Sequence, residues 1–394
     1  MGHAHDLPAP EPALRRRAKI VFTAVLVPAA LVTLLGAWLL WPHGHTPTIQ
    51  TSGPGQTYLT ATITEVHPAA PDTEQVRARV DGTLVWVQTP PEYLAELAPG
   101  DRAQVVNLGD QDPGTAAYVF VDFERGPPLL LLAAIFGVLV VAVARWRGFA
   151  ALVGLGVALA VLGTFTLPAL VQGKPAAWVA LVTASAIMFV VLYLAHGFTL
   201  RTSTALVGTL AGLVATALIA AWASGAAQLT GLSDEYALDL MSYAPQLRMR
   251  EVLLCGMVLA GLGVLNDVTI TQASAVWELH ASDPGATRRR LFSRGMRIGR
   301  DHIASTVYTI VFAYVGATLP LVLLVAMSDR ALLGALASGE MAEEVARTLV
   351  GSIGLVLAIP LTTLIAVLVV GSPPPRTSHG EPAPRPAALV DAAG

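Results

Sequence analysis

Eight stretches of this chain are long and apolar enough to cross a membrane, at about 20–41, 128–144, 148–170, 176–196, 203–224, 252–276, 303–326 and 347–371. Crossing ~30 Å of hydrocarbon takes roughly 20 residues in a helix. Inside lipid every backbone polar group must be satisfied within the protein, which leaves helices and closed barrels, and runs of this length select helices. Composition agrees: 54% of the residues are hydrophobic and 13% charged, where soluble domains carry about 25% charge. The predicted fold class is an all-α polytopic membrane bundle of about eight transmembrane helices. No basic face suited to nucleic acid is present. The single cysteine, Cys255, excludes a disulfide within the chain and a cysteine-based metal site.

The first stretch follows Arg15-Arg16-Arg17-Ala18-Lys19. Its apolar core is too long for a signal peptide, and no small-x-small cleavage site follows Trp38 and Trp41, so it reads as a retained anchor. Lys and Arg near helix ends set orientation. With the N-terminus inside, the short inside segments hold Arg15 to Arg17, Lys19, Arg145, Arg147, Arg201 and the run from Arg288 to Arg300, while outside loops hold only Lys174, Arg248, Arg250, Arg330 and Arg347. The expected location is a plasma membrane, with both termini cytoplasmic. The chain then divides into a cytoplasmic tail (1–19), a first anchor (20–41), an extracytoplasmic β domain (43–127), a seven-helix bundle (128–371) and a Pro-rich cytoplasmic tail (372–394) whose composition predicts disorder.

In 43–127 the segments TYLTATITEV, TEQVRARV, TLVWVQT, RAQVVNL and AYVFVDF alternate or carry β-branched residues, the mark of strands. Asp81-Gly82 is a hairpin signal and Ala98-Pro99-Gly100-Asp101 a second turn. Five short strands suggest a small barrel of the OB or SH3-like kind inserted after the first helix. Two outer loops, 233–247 and 331–345, mix apolar and acidic residues at near-helical spacing and are expected along the membrane surface.

The sixth stretch runs into LNDVTITQASAVWELH (265–280), where Asp267, Thr271, Ser274 and Glu278 share one helical face. Asp267 falls near mid-span, where a carboxylate costs roughly 2.5–3.5 kcal/mol, so it is a candidate proton carrier or cation ligand, or else a hydrogen-bonded group joining helices. The seventh helix carries Asp301, Ser305 and Tyr308 at matching spacing. If Glu278 and Asp301 lie at equal depth, Ser274 meets Ser305 and Thr271 meets Tyr308. Oxygen ligands of this kind suit hard cations. Pro28, Pro168, Pro320 and Pro360 interrupt four spans; Pro360, near mid-depth, is the candidate helix break. Gly208-x-x-x-Gly212 is a close-packing signal. Arg288, Arg289, Arg290, Arg294 and Arg297 either fix topology or meet anionic lipid. His3-x-His5 and His43-x-His45 offer too few ligands to define a metal site.

LNDVTITQASAVWEL, GMRIGRDHIASTVYTIVFAYVGATLP and RTLVGSIGLVLAIPLTT together resemble the YibE/F family of multispanning bacterial membrane proteins. The resemblance covers nearly the whole chain and implies a multispanning protein, of the kind described as a candidate permease. Its recurrent positions fall on Asp267, Ser274, Ala275, Glu278, Gly299, Arg300, Asp301, Gly351 to Gly354 and Pro360. Relatives often carry Asn where this chain has Tyr308, so a phenol stands where an amide ligand would. Two functions are expected to compete: an ion- or proton-coupled transporter of a small solute or cation, and a non-transporting envelope factor that docks a partner protein through its β domain. The partners expected besides the bilayer are a small solute or cation, an envelope protein or a second copy in a homo-oligomer. An enzyme is not expected. GLGVLND lacks a Gly-x-Gly-Asp protease motif, Trp277-Glu278-Leu279-His280 lacks the HExxH spacing, and there is no Gly-Lys-Ser nucleotide loop. No cofactor is expected.

Overall fold

The computed structural model describes residues 12–44, 56–66, 75–108, 118–233, 235–329 and 331–370. His3, His5 and His45, most of the N-terminal tail and the Pro-rich tail lie outside them. The chain forms two compact units, Pro47–Phe149 and Met1–Thr46 with Ala150–Gly394.

The first unit holds a five-stranded closed barrel: β1 (Thr57–Glu65), β2 (Gln75–Val80), β3 (Thr83–Gln88), β4 (Arg102–Asn107) and β5 (Tyr118–Phe123), in the order β1-β2-β3-β5-β4. All pairings are antiparallel except β3 with β5, which run parallel through Val87↔Tyr118 and Gln88↔Val119. All five segments read as strands from the sequence are strands. Alternation sets the inside: Val76, Ala78 and Val80 are buried while Arg77 and Arg79 between them point out. Ala61, Ile63, Val87, Ala103, Val105 and Phe120 complete the core. Asp81 and Gly82 both take positive φ (49° and 84°), the geometry of a two-residue turn whose twist suits the flanking strands. At the second turn, Gly100 adopts φ 100° and Asp101 accepts from the Ala98 N–H at 2.8 Å. A short helix, α2 (Pro91–Leu94), sets Tyr93 against Phe120, with ring centroids 5.1 Å apart.

Asp122 accepts from the Phe123 N–H at 2.8 Å and pairs with Arg125 at 2.5 Å. The backbone hydrogen bond first, and Arg125 second, hold its carboxyl below the usual carboxylate range. A lowered folded-state pKa gives stability that is present above the unfolded value and lost as pH falls through the folded one. Asp122→Asn is therefore expected to lower stability at neutral pH by the share the ionised carboxylate contributes and, for the same reason, to flatten the acid limb of barrel unfolding. An acid limb identical to wild type would remove Asp122 as its source.

The second chain segment of interest begins with α1 (Pro12–Leu40) and resumes along α3 (Gly126–Val161), a π turn (Leu162–Thr166) and α4 (Leu167–Val171). There follow α5 (Ala176–His196), α6 (Leu200–Ala226), α7 (Glu235–Tyr243), α8 (Met249–Ser282), α9 (Arg288–Ala317), α10 (Leu319–Ala326), α11 (Leu332–Leu336) and α12 (Gly339–Val370). The two amphipathic loops contain α7, and α11 with the start of α12. Among the described residues, six helices are long and apolar enough to cross a membrane, or seven if α9 and α10 count as one bent span, against the eight expected. The shortfall lies at Gly126–Val171, a single 46-residue apolar stretch that takes in both expected segments, 128–144 and 148–170. It is interrupted at Arg145, whose φ 55° and ψ −132° are not helical. A Cβ on Gly148 would run into the Val140 carbonyl oxygen, so the chain doubles back at this point.

The centre of the helical unit is the trio α6, α8 and α12, which pack most extensively on one another. Glycines let them close in. A Cβ on Gly208 would strike the Thr362 hydroxyl, one on Gly212 would lie 3.0 Å from Leu265 and 3.2 Å from Ala358, and one on Gly261 would reach the Gly351 backbone at 3.9 Å. The Gly208-x-x-x-Gly212 signal is thus a packing seam. α5 covers one side of the trio and α1 packs on α5, while α9 leans on α8 and α12.

Two expectations about breaks are corrected. The expected break at Pro360 does not occur: α12 is continuous from Gly339 to Val370, and Thr362 and Thr363 beside the proline are buried in the trio. Losing one N–H leaves neighbouring helices to hold the turn. The break falls instead before Pro320, where α9 and α10 meet at 79°. Pro320 has no N–H for the carbonyl four residues back and its ring clashes there, so α9 stops and Pro320 opens the first turn of α10.

Candidate functional site

α8 has two polar faces. The inner one was not singled out from the sequence. Gln272, 3% exposed, donates from Nε2 to the Gly295 carbonyl of α9 at 2.9 Å and to Thr363 Oγ1 of α12 at 2.7 Å. Thr269 meets Thr209 of α6 at 2.6 Å, and Trp277 Nε1 donates to Thr204 at 3.2 Å. Each of these groups is buried and bonded, as buried polar groups must be. They clasp α8 to three neighbours. The signal was available, since Thr269, Gln272 and Val276 follow one another at spacings of three and four, but a helical wheel gives two candidate faces and not which one is inside.

The outer face carries the predicted stripe. Asp267, Thr271 and Glu278 are exposed and Ser274 half-buried. Spacing therefore grouped them correctly, yet the stripe turns away from the packed trio. Asp267, its side chain 72% exposed, has Oδ2 4.0 Å from His302 Nε2 of α9. That nitrogen is itself buried and has no hydrogen-bond partner. The gap exceeds a hydrogen bond and is wide enough for a small cation between the two groups. Thr271 turns its hydroxyl back to the Asp267 carbonyl at 2.8 Å. Glu278 is held by Arg201 of α6 at 2.7 Å.

The expected register between the two stripes is corrected. Asp267 stands beside His302 and Gln272 beside Gly295, so Glu278 lies well past Asp301 along α9, toward the arginines. Glycine decides this register: a Cβ on Gly295 would lie 3.0 Å from Val276, and one on Gly299 2.5 Å from Ile359. Asp301, Ser305 and Tyr308 do share an exposed face of α9, and no hydrogen bond or ion pair among the described residues joins them to Glu278, Ser274 or Thr271. The arginine run is helical, forming the first three turns of α9, and Arg290 and Arg294 face Asp283 at 3.8 Å and 2.9 Å. No group of three or more His, Cys, Asp or Glu suited to a metal occurs among the described residues.

What the arrangement can do follows from where Asp267 sits. It lies eighteen residues into a 34-residue helix, α8, on a face lined with hydroxyls and a second carboxylate. Such a face is incompatible with bare lipid. It suits water, a polar solute or an ion.

Comparison with curated proteins and with solved structures returned no match. The sequence profile described as YibE/F-like protein matches residues 132–372, more than half of the 394-residue chain and every helix of the trio. The chain belongs to the YibE/F-like family, a membrane protein by its apolar helices.

Proposed function

We propose that this protein is an ion- or proton-coupled permease whose polar centre is Asp267 with His302. The observation that carries the reading is the exposed stripe Asp267, Thr271, Ser274, Glu278 on a helix long and apolar enough to span. An ionisable group on such a face calls for a hydrated path. In this reading Gly126–Val171 crosses twice, because 46 residues of straight helix would run roughly 69 Å, over twice the hydrocarbon thickness. With the bent pair α9 and α10 counted as one span, that makes eight, with both termini cytoplasmic and the barrel outside in keeping with the arginine bias. The test is flux: the purified protein in proteoliposomes, with a pH-sensitive dye and a panel of cations, is expected to dissipate an imposed gradient above empty vesicles. Well-folded protein that moves no proton or cation under any gradient would defeat the ion-coupled reading.

One observation favours the envelope-factor reading. On the outer face of β2 and β3, Trp86 and Leu84 are 42% and 52% exposed and lie opposite Arg77 and Arg79, with the Arg77 guanidinium 5.2 Å from the Trp86 ring centroid. The strand order, with α2 between β3 and β4, supports an OB-type barrel, whose strands 2 and 3 form a binding face. Under this reading the protein moves no ion, and Trp86→Ala lowers capture of the partner.

A further inference from the structure

We infer that the start of α9 is a binding site for a phosphate ester, built by Thr287, Arg289, Arg290, Ser293, Arg294 and Arg297 around an open pocket of about 560 Å³. α9 is sided at this end. Leu291, Gly295 and Gly299, spaced by four, are buried against α8 and α12, which turns the guanidinium-bearing side outward. Thr287 caps the helix, its hydroxyl accepting from the Arg290 N–H at 3.3 Å. The first-turn N–H groups and the positive end of the helix dipole therefore add to the arginine charge.

The charge is not internally spent. The one carboxylate at the site, Asp283, takes Arg294 at 2.9 Å and reaches Arg290 at 3.8 Å. Arg289 and Arg297 are exposed and have no acidic partner among the described residues. The ion pair instead fixes two guanidinium groups at the rim. Arginine offers a planar fork that matches two phosphate oxygens at once, and two hydroxyls complete the donor set. Topology alone needs positive charge on this side and places no demand on spacing. Four arginines and two hydroxyls sharing one hollow do make such a demand.

The phosphate ester has two sources, the headgroup of an anionic phospholipid and a soluble phosphate compound. Full-length protein in phosphatidylcholine nanodiscs is to be titrated with short-chain phosphatidic acid, inorganic phosphate and short-chain phosphatidylcholine, reading adducts by native mass spectrometry and the shift in Tm. Saturable phosphatidic acid binding is expected, at least tenfold weaker in Arg289→Gln/Arg297→Gln. Arg145→Gln/Arg147→Gln, which removes equal charge elsewhere, is expected to leave it unchanged. Phosphatidic acid binding without inorganic phosphate binding assigns the lipid headgroup; comparable binding of both assigns a soluble ester. Should the double variant fail to purify, Ser293→Glu places a carboxylate in the same hollow and is expected to give the same loss. Equal weakening by both arginine pairs, or no saturable binding of either phosphate probe, would overturn the site.

Discussion

Asp267→Asn is expected to abolish coupled flux in proteoliposomes while the protein inserts, purifies and melts as wild type does. Asn keeps the shape of the side chain and removes its charge, so the roughly 2.5–3.5 kcal/mol cost of a carboxylate at mid-span disappears. Stability should hold or rise. Transport by a titrating or cation-binding group cannot survive the change. Glu278→Gln makes the contrast. Its partner Arg201 lies 2.7 Å away, with both side chains partly exposed, and exposed pairs of this kind contribute about 0–1 kcal/mol. Glu278→Gln should leave flux within a few-fold of wild type. His302→Gln should fall between the two, because the Asp267 carboxylate would remain and only the imidazole 4.0 Å from it would be lost. Full flux in Asp267→Asn would sink the assignment of the polar centre.

The second large effect concerns the trio. A Cβ on Gly208 would strike the Thr362 hydroxyl, and Thr362 is fully buried. Valine there must push α6 from α12 and is expected to lower stability by about 1–3 kcal/mol or more, the usual cost of overpacking. Gly212→Val should cost less, since its Cβ would meet Leu265 Cδ2 at 3.0 Å, an atom that can rotate away, and Ala358 at 3.2 Å, longer than the contact at Gly208. Gly256, with nothing within 4 Å of a Cβ, should accept valine with little loss. Thermal unfolding in detergent reads the ranking. Equal effects at all three positions would show that the glycines act through helix propensity and not through contact.

How far the sequence reaches differs by element. The strands were legible because period-two burial and the turns at Asp81-Gly82 and Gly100 act over a few residues, where local chemistry decides. That long apolar helices are present was legible from composition over roughly twenty residues, while their number was not: eight were expected and the described residues give six or seven. What α8 and α9 do to each other was not legible either. Spacing groups Asp267 with Thr271 and Glu278, but the side that turns inward is chosen by Gln272 finding Gly295 and Thr363. The register is chosen by how closely Gly295 and Gly299 let α9 approach. Both depend on neighbours far away in the chain. Pro360 and Pro320 teach the same lesson: one sits in a helix packed into the trio beside buried Thr362 and Thr363, and the other follows the largely exposed end of α9, which is free to bend.

The closure of the β1-β2-β3-β5-β4 ring has a consequence for any partner of the barrel. Every described strand has a hydrogen-bonded neighbour on both sides, so the ring offers no free edge strand along its whole length for a visiting peptide to extend. The narrowest place is the β3–β5 seam, joined over two residue pairs. A partner of this barrel would therefore be met mainly by outward side chains such as Trp86 and Arg77, which can be changed without touching the buried core of the ring.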